Sequence, residues 1–168
     1  TYKINFTADK SDFDKTGIQW VINPWDEFAL TKAIQFQESQ GATVTVINVG
    51  DVTTEPVIRK SLAIGANDAI RINTEPKDSF SVATEIANVA KDGGYDLILC
   101  GREYIDYNGG AVPGMSAQIL NQALDNDSVG LELNDTEAKA VRAREGGRDT
   151  GTRTLRGARG GQKEMVSD

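Results

Sequence analysis

The sequence predicts an α/β fold in which helices cover a parallel sheet. Short β-rich runs alternate with helix-like segments between residues 43 and 124, and glycine or proline marks most of the junctions. Such alternation with tight connections is typical of right-handed βαβ units, whose strands are parallel. The chain has 168 residues, of which 39% are hydrophobic and 26% are charged. It can therefore form one core of ordinary domain size.

The first helix is predicted to begin at Asn23-Pro24. Asn is a favourable N-cap, and Pro suits the first helical position. Asp26 and Glu27 place negative charge in the first turn, where the helix dipole favours it. Apolar residues at helical spacing continue the helix as far as Gly41.

The remaining core elements follow from the same patterns. β-branched runs predict strands, and glycines mark the ends of helices. The predicted order is a strand at 17–22, the first helix, a strand at 43–49, a helix at 54–65, a strand at 69–72, a helix at 79–91, a strand at 95–100 and a helix at 113–124.

The pattern changes after residue 125. Val129–Leu133 and Ala138–Arg144 predict a small hairpin outside the parallel sheet. The sequence beyond Gly146 lacks apolar periodicity, so we expect this segment to be exposed or irregular. We therefore divide the chain into an α/β core at 1–125 and an appendage at 126–168. The core holds 10 basic and 17 acidic residues and the appendage 8 of each, so the net charge of -7 belongs to the core.

Composition excludes several functions. The chain has no His, which rules out Ser-His-Asp and Cys-His catalysis and any imidazole metal site. Its single cysteine, Cys100, cannot form an internal disulfide, so a reducing compartment such as the cytoplasm is expected. The acidic balance does not suit binding to nucleic-acid phosphates. We also expect no direct membrane insertion, because no apolar run is long enough to span a bilayer.

The loop and helix start at Gly101–Met115 are the most specific local feature. A glycine-rich loop between a buried strand and a helix can direct several backbone N–H groups at one anion. Gly109 and Gly110 allow close approach, and Asn108 can donate through its amide. A plain strand-to-helix connection with an Asn-Gly-Gly turn explains the same residues, and the sequence leaves both readings open.

Ligands of parallel sheets bind beyond the carboxyl ends of the strands. The three ends predicted here are Ile22-Asn23, Val49-Gly50 and Cys100-Gly101. Trp25 follows the first of them, where either ligand contact or core packing accounts for it. Neither Glu103 nor Asp106 has a visible partner for paired-carboxylate catalysis, so we do not expect an enzyme.

Four segments in this order resemble the beta (small) subunit of electron transfer flavoproteins. They are NPWDEFALTKAIQFQE, TVTVINVG, IRKSLAIGANDAIRI and GGYDLILCGREYIDYNGGAVPGM. The resemblance spans roughly residues 18–134 and covers both the order and the spacing of the motifs. It implies a three-layer, parallel-sheet, Rossmann-like domain that binds an adenine nucleotide and carries a small β-hairpin appendage.

The resemblance also implies a function in electron transport. The family's beta subunit forms a heterodimer with a large alpha subunit, and the pair shares one FAD. The complex accepts electrons from flavin dehydrogenases, such as the acyl-CoA dehydrogenases of fatty acid oxidation, and passes them to a quinone oxidoreductase. The beta subunit holds a structural AMP, which a second FAD replaces in electron-bifurcating members.

The resemblance carries a set of site residues onto this sequence. Trp25 matches an aromatic position that approaches the flavin of the partner subunit, and Met165 matches an apolar anchor for a dehydrogenase. The nucleotide site comprises Asn23, Pro24, Trp25, Asp26, Val49, Gly101, Asp106, Asn108, Gly109, Gly110, Ala111 and Val112.

The sequence departs from the family at its edges. The family's first strand, which precedes the segment matching Tyr2, is missing, and so is a C-terminal arm, so we expect the chain to be a fragment. Residues 142–159 carry Arg and Gly where the family has apolar strand residues.

Two other functions share the predicted fold class. A universal-stress-type module would bind an adenine nucleotide as a homodimer without a flavin partner. An adenylate-forming enzyme would need a pyrophosphate loop of the S-G-G-x-D kind, which GGAVPG does not supply.

Overall fold

The computed structural model describes residues 5–105, 108–155 and 164–167, the last of these by backbone only. Asp106, one of the predicted site residues, lies outside the described residues. The elements are α1 (Pro24–Gln40), β1 (Thr45–Val49), a 3-10 turn (Val52–Thr54), α2 (Glu55–Ile64), β2 (Asp68–Ile72), α3 (Ser79–Gly93), β3 (Leu97–Cys100), α4 (Ala111–Leu120), β4 (Ala123–Asp125), β5 (Ser128–Leu133), β6 (Glu137–Arg144), β7 (Gly147–Thr154) and β8 (Glu164–Ser167).

The strands of the α/β part are parallel. β1 pairs with β2 in register from Thr45↔Asp68 to Val49↔Ile72. β8 lies between β3 and β4 and is parallel to both. The predicted α/β class with parallel strands is therefore confirmed, and the last described segment returns to the parallel strands.

Local sequence explains where two of the helices begin and end. Asn23 is extended before Pro24, and α1 stops at Gly41, whose φ of 71° lies in the left-handed region that glycine adopts without strain. Asp78 caps α3: its carboxylate accepts from Ser81 N at 2.7 Å, and Ser81 Oγ accepts from Asp78 N at 3.1 Å. This reciprocal capping box satisfies two N–H groups at the start of the helix.

One predicted strand is absent, and one predicted helix ends earlier than expected. Residues 17–22 form no strand: Ile18 and Val21 are exposed, and the indole of Trp20 donates to Thr53 Oγ1 at 3.0 Å. The segment binds to the 3-10 turn instead of pairing in a sheet. The last helix ends at Leu120 instead of Leu124, because Asn121 takes a left-handed φ of 51° and β4 follows at once.

The appendage is a three-stranded antiparallel sheet in the order β5-β6-β7. Its first two strands confirm the predicted hairpin, and Asn134 Oδ1 accepts from the amides of Thr136 and Glu137 at its turn. The segment beyond Gly146 was expected to be exposed or irregular. Most of residues 147–154 are exposed, but they are not irregular, because they form β7. β7 pairs with β6 from Arg144↔Gly147 to Glu137↔Thr154.

Two clusters of buried apolar side chains share α1. Leu30 packs with Val44 and Ala66 beside the first parallel pair of strands. Phe36, one and a half turns further along α1, packs with a second set that joins the antiparallel sheet to β3: Leu131, Ala138, Ala140, Leu97 and Leu99. The antiparallel sheet is thus fixed against β3 and α1. Among the described residues, no helix is both long and apolar enough to cross a membrane.

Candidate functional site

Hydrogen bonds join the start of α1 to the loop after β3. Asn23 Nδ2 donates to Asp26 Oδ2 and to the carbonyl oxygen of Glu103, both at 2.9 Å. Asp26 Oδ1 accepts from the amide of Gly101 at 2.7 Å. The two segments predicted to meet at the carboxyl ends of the strands therefore do meet, although 75 positions separate Asp26 from Gly101.

The side chain of Asn23 does not cap its own helix. Its amide nitrogen binds the loop, and its Oδ1 is buried without a hydrogen-bond partner among the described residues. Capping alone therefore does not explain Asn23. A buried acceptor without a partner is costly, and a ligand donor would satisfy it.

Arg102 is a site residue that the sequence did not single out. Its guanidinium carbon lies 4.5 Å from the centroid of the Trp25 ring, a cation–π contact. Its Nη2 pairs with Glu103 Oε1 at 2.9 Å and its Nη1 with Asp127 Oδ1 at 3.8 Å. Its Nε is buried without a hydrogen-bond partner in the described part of the chain.

The loop folds back on itself before α4. The amide of Tyr104 donates to Gly109 O at 2.9 Å, and the amide of Asn108 donates to Tyr104 O at 2.8 Å. Asn108 has a φ of 56°, a left-handed conformation that Asn tolerates better than most residues. Gly110 is the N-cap of α4, and a Cβ added to it would lie 2.9 Å from Arg102 O.

The first turn of α4 therefore begins beside the loop. Ala111 and Val112 are its first residues, and Val112 is buried. The N–H groups of this turn have no partner within the helix, and together with the helix dipole they favour an anion.

A cleft of about 330 Å³ lies at this edge of the parallel strands. That volume falls at the lower end of the range of small-molecule sites. Arg102, Glu103 and Gly110 line it from the loop after β3, and Asn126 and Asp127 line it from the end of β4. The sequence analysis did not identify Asn126 and Asp127. It extended the last helix to Leu124 and therefore did not predict β4, whose carboxyl end precedes these two residues.

Val49 lies at the carboxyl end of β1, as predicted. Its neighbour Gly50 donates to Ile72 O at 3.0 Å and accepts from Arg71 Nη1 at 3.2 Å. These bonds connect this strand end to β2, whereas the bonds of Asn23 and Asp26 run to the loop after β3. A role for Val49 in the site stays a prediction.

The thiol of Cys100 lies at the end of β3, beside Asp26. Burial, together with the negative charge of Asp26, raises the pKa of Cys100 to about 12. The thiol is therefore protonated at neutral pH and is a poor nucleophile. Within the described ranges, no group of three or more Cys, Asp or Glu side chains is arranged to hold a metal ion.

Met165 lies in β8, opposite Ile98 of β3 and Leu124 of β4. Its backbone is therefore part of a strand with neighbours on both sides. The prediction that Met165 anchors a dehydrogenase stays a prediction.

Comparison with known proteins defines the class to which this fold and site belong. The family described as Electron transfer flavoprotein domain matches residues 12–157. The chain belongs to this family.

The relatives it resembles include beta subunits of electron transfer flavoproteins, as the sequence motifs indicated. The beta subunit of Bacillus subtilis (strain 168) is 37% identical over 134 residues, which are 77% of this chain and 52% of the relative. Protein FixA of Azotobacter vinelandii is 32% identical over 143 residues, 79% of this chain and 51% of that protein. The chain thus spans about half the length of the curated relatives it matches.

Proposed function

We propose that this chain is the beta subunit of an electron transfer flavoprotein and acts as an electron carrier, not as an enzyme. It forms a heterodimer with an alpha subunit, with which it shares FAD. The heterodimer accepts electrons from flavin dehydrogenases, including those of fatty acid oxidation, and delivers them to a quinone oxidoreductase in the same, cytoplasmic compartment. Membership of the family supports this proposal. The structural observation that carries it is the set of hydrogen bonds that joins the start of α1 to the loop after β3.

We propose further that the cleft holds the phosphate end of a structural AMP. Two donors suit such a ligand: the Arg102 guanidinium lines the cleft, and the first amides of α4 follow Gly110, which lines it as well. Asn23 is not part of the cleft lining; its side-chain amide holds the loop at Glu103. Glu103 and Asp127 both pair with Arg102, which offsets part of their negative charge. The loop residues Asn108, Gly109 and Gly110 complete this end of the site.

Trp25 is the residue of this chain that we assign to the flavin side. Arg102 contacts its ring, which restrains the indole at the first turn of α1. FAD, when bound, supplies the redox chemistry by accepting and releasing electrons at its ring system. The role of Trp25 is to cover that ring and exclude water.

The arrangement of the elements in layers and the division of the chain at residue 125 are part of the same proposal. We assign the parallel strands to the middle layer of a three-layer, Rossmann-like core at 1–125, with 126–168 as the appendage. Contacts of α1 with β3 and of α3 with β1 support helices on the strands. The pairing of β8 with β3 and β4 adds a strand from the second part of the chain to this layer.

Native mass spectrometry of the chain co-expressed with its proposed alpha subunit tests this assignment. We expect a one-to-one complex that contains FAD and AMP. A second FAD in place of AMP would identify an electron-bifurcating member. A stable homodimer that binds ATP or AMP and shows no affinity for the alpha subunit would contradict the proposal and favour a universal-stress-type module.

A further inference from the structure

A buried carboxylate lies directly before the two residues that line the far side of the cleft. Asp125, the last residue of β4, is completely buried. Arg142 Nη1 lies 3.1 Å from its Oδ1, and Arg153 Nε lies 3.4 Å from its Oδ2. Neither carboxylate oxygen receives a well-aligned hydrogen bond from a described residue, so charge is the main attraction that holds it.

The antiparallel sheet forms a socket for this carboxylate. We define the socket as Arg142, Gly151 and Arg153, which lie on one face of β6 and β7. Ala140 pairs with Gly151, and Arg153 pairs with Ala138, so two small residues lie between the two arginines. A Cβ added to Gly151 would lie 2.9 Å from Asp125 Oδ1, closer than real Cβ contacts come. Glycine at this position leaves the space that the carboxylate occupies.

The socket is connected to the cleft by backbone and side-chain contacts. Asn126 and Asp127 follow Asp125 directly, and both line the cleft. The amide of Ala143 in β6 donates to Asp127 O at 3.2 Å, and Asp127 Oδ1 faces Arg102 at 3.8 Å. Only the next two residues of the chain therefore separate Asp125 and its socket from the cleft wall.

Burying a charge cluster costs free energy, and well-packed apolar residues in its place are often equally or more stabilising. A cluster of this kind is therefore better explained by what it positions than by the stability it adds. We propose that Asp125 is a positioning residue for the nucleotide cleft, and that the socket on the antiparallel sheet fixes Asn126 and Asp127 against Arg102. This inference rests on the proposed nucleotide site.

Gly151→Ala is the most direct test, because it displaces the carboxylate and keeps every charge. Replacing Asp125 itself leaves two buried arginines without their partner, and such a variant can fail to fold. Gly130→Ala in β5 is the matched control. The added Cβ would lie 3.6 Å from the nearest atom, on Val141, which is an ordinary contact.

Two measurements on the full chain separate the outcomes. Hydrogen–deuterium exchange of the amides at 126–128, without any ligand, reports how firmly the cleft wall is held in place. Titration with AMP, at a temperature where every variant is folded, measures the affinity of the proposed nucleotide site. We expect Gly151→Ala to accelerate exchange at 126–128 and to weaken AMP binding roughly tenfold, which lies within the range for coupling between sites, while Gly130→Ala changes neither.

Unchanged exchange at 126–128 in Gly151→Ala, or unchanged AMP affinity despite faster exchange, would overturn the inference. A loss of thermal stability alone would show a purely structural role and would overturn it as well. If the wild-type chain binds no AMP, the proposed AMP site fails. The exchange measurement then decides by itself whether the socket positions the cleft wall.

Discussion

Asn23 joins two segments that are far apart in the sequence. Its side-chain amide holds the loop at Glu103 and the helix at Asp26, and its Oδ1 is a buried acceptor without a partner among the described residues. The strand-end argument placed Asn23 near a ligand position, although residues 17–22 form no strand, and the family resemblance added Asp26. It could not predict Arg102, since the contact with Trp25 exists only in the folded chain.

Asn23→Ala is expected to weaken AMP binding and to lower the free energy of unfolding by about 1 kcal/mol, because the partly buried carbonyl of Glu103 loses its hydrogen bond. Titration with AMP and denaturant unfolding measure the two effects. Asn73→Ala is a suitable control, because Asn73 is exposed and accepts from Arg71 at the end of β2. A similar loss in both variants would contradict the assigned role of Asn23.

Cys100 is expected to resist thiol-reactive reagents at neutral pH, because its pKa is raised to about 12. A colorimetric thiol reagent should modify the unfolded chain rapidly and the folded chain much more slowly. The folded state holds the proton more tightly than the unfolded state does. The protonated thiol therefore contributes to the free energy of unfolding below about pH 9, and this contribution is lost as the pH rises to about 12. Rapid modification of the folded chain at pH 7 would contradict the burial of the thiol.

At the scale of elements, the cap of α3 makes a separate prediction. Hydrogen bonds from the backbone amide and side chain of Ser81 lower the pKa of Asp78 below its ordinary value. Its contribution to stability is therefore present above the ordinary pKa of an aspartate and is lost as the pH falls through the lowered pKa. Asp78→Ala should reduce the melting temperature at pH 7, and Asp78→Asn, which keeps a capping oxygen, should reduce it less. A difference between wild type and Asp78→Ala that does not shrink in acid would argue against this cap.

Elements with apolar periodicity or clear caps were predictable, and the others were not. The helices at 24–40 and 79–93 and the hairpin at 128–144 agree with their sequence patterns. β7 had no apolar pattern, because two of its inward positions are Gly151 and Arg153, which face the carboxylate of Asp125. The segment at 17–22 has the composition of a strand, but strand formation also needs a neighbour with which to pair.

At the scale of the whole molecule, the arginine-rich part is joined to the acidic part by specific ion pairs. Arg142 contacts both Asp125 and Asp149, and Arg153 contacts Asp125. These arginines therefore satisfy internal carboxylates, which composition alone could not show.

Binding of a flavin by this chain together with an alpha subunit is tested most directly by the visible absorption spectrum of the co-expressed complex. We predict a yellow complex whose flavin bands bleach when a reductant is added, whereas the chain expressed alone shows no such bands. A colourless complex, or a complex whose absorption does not change on reduction, would contradict the claim.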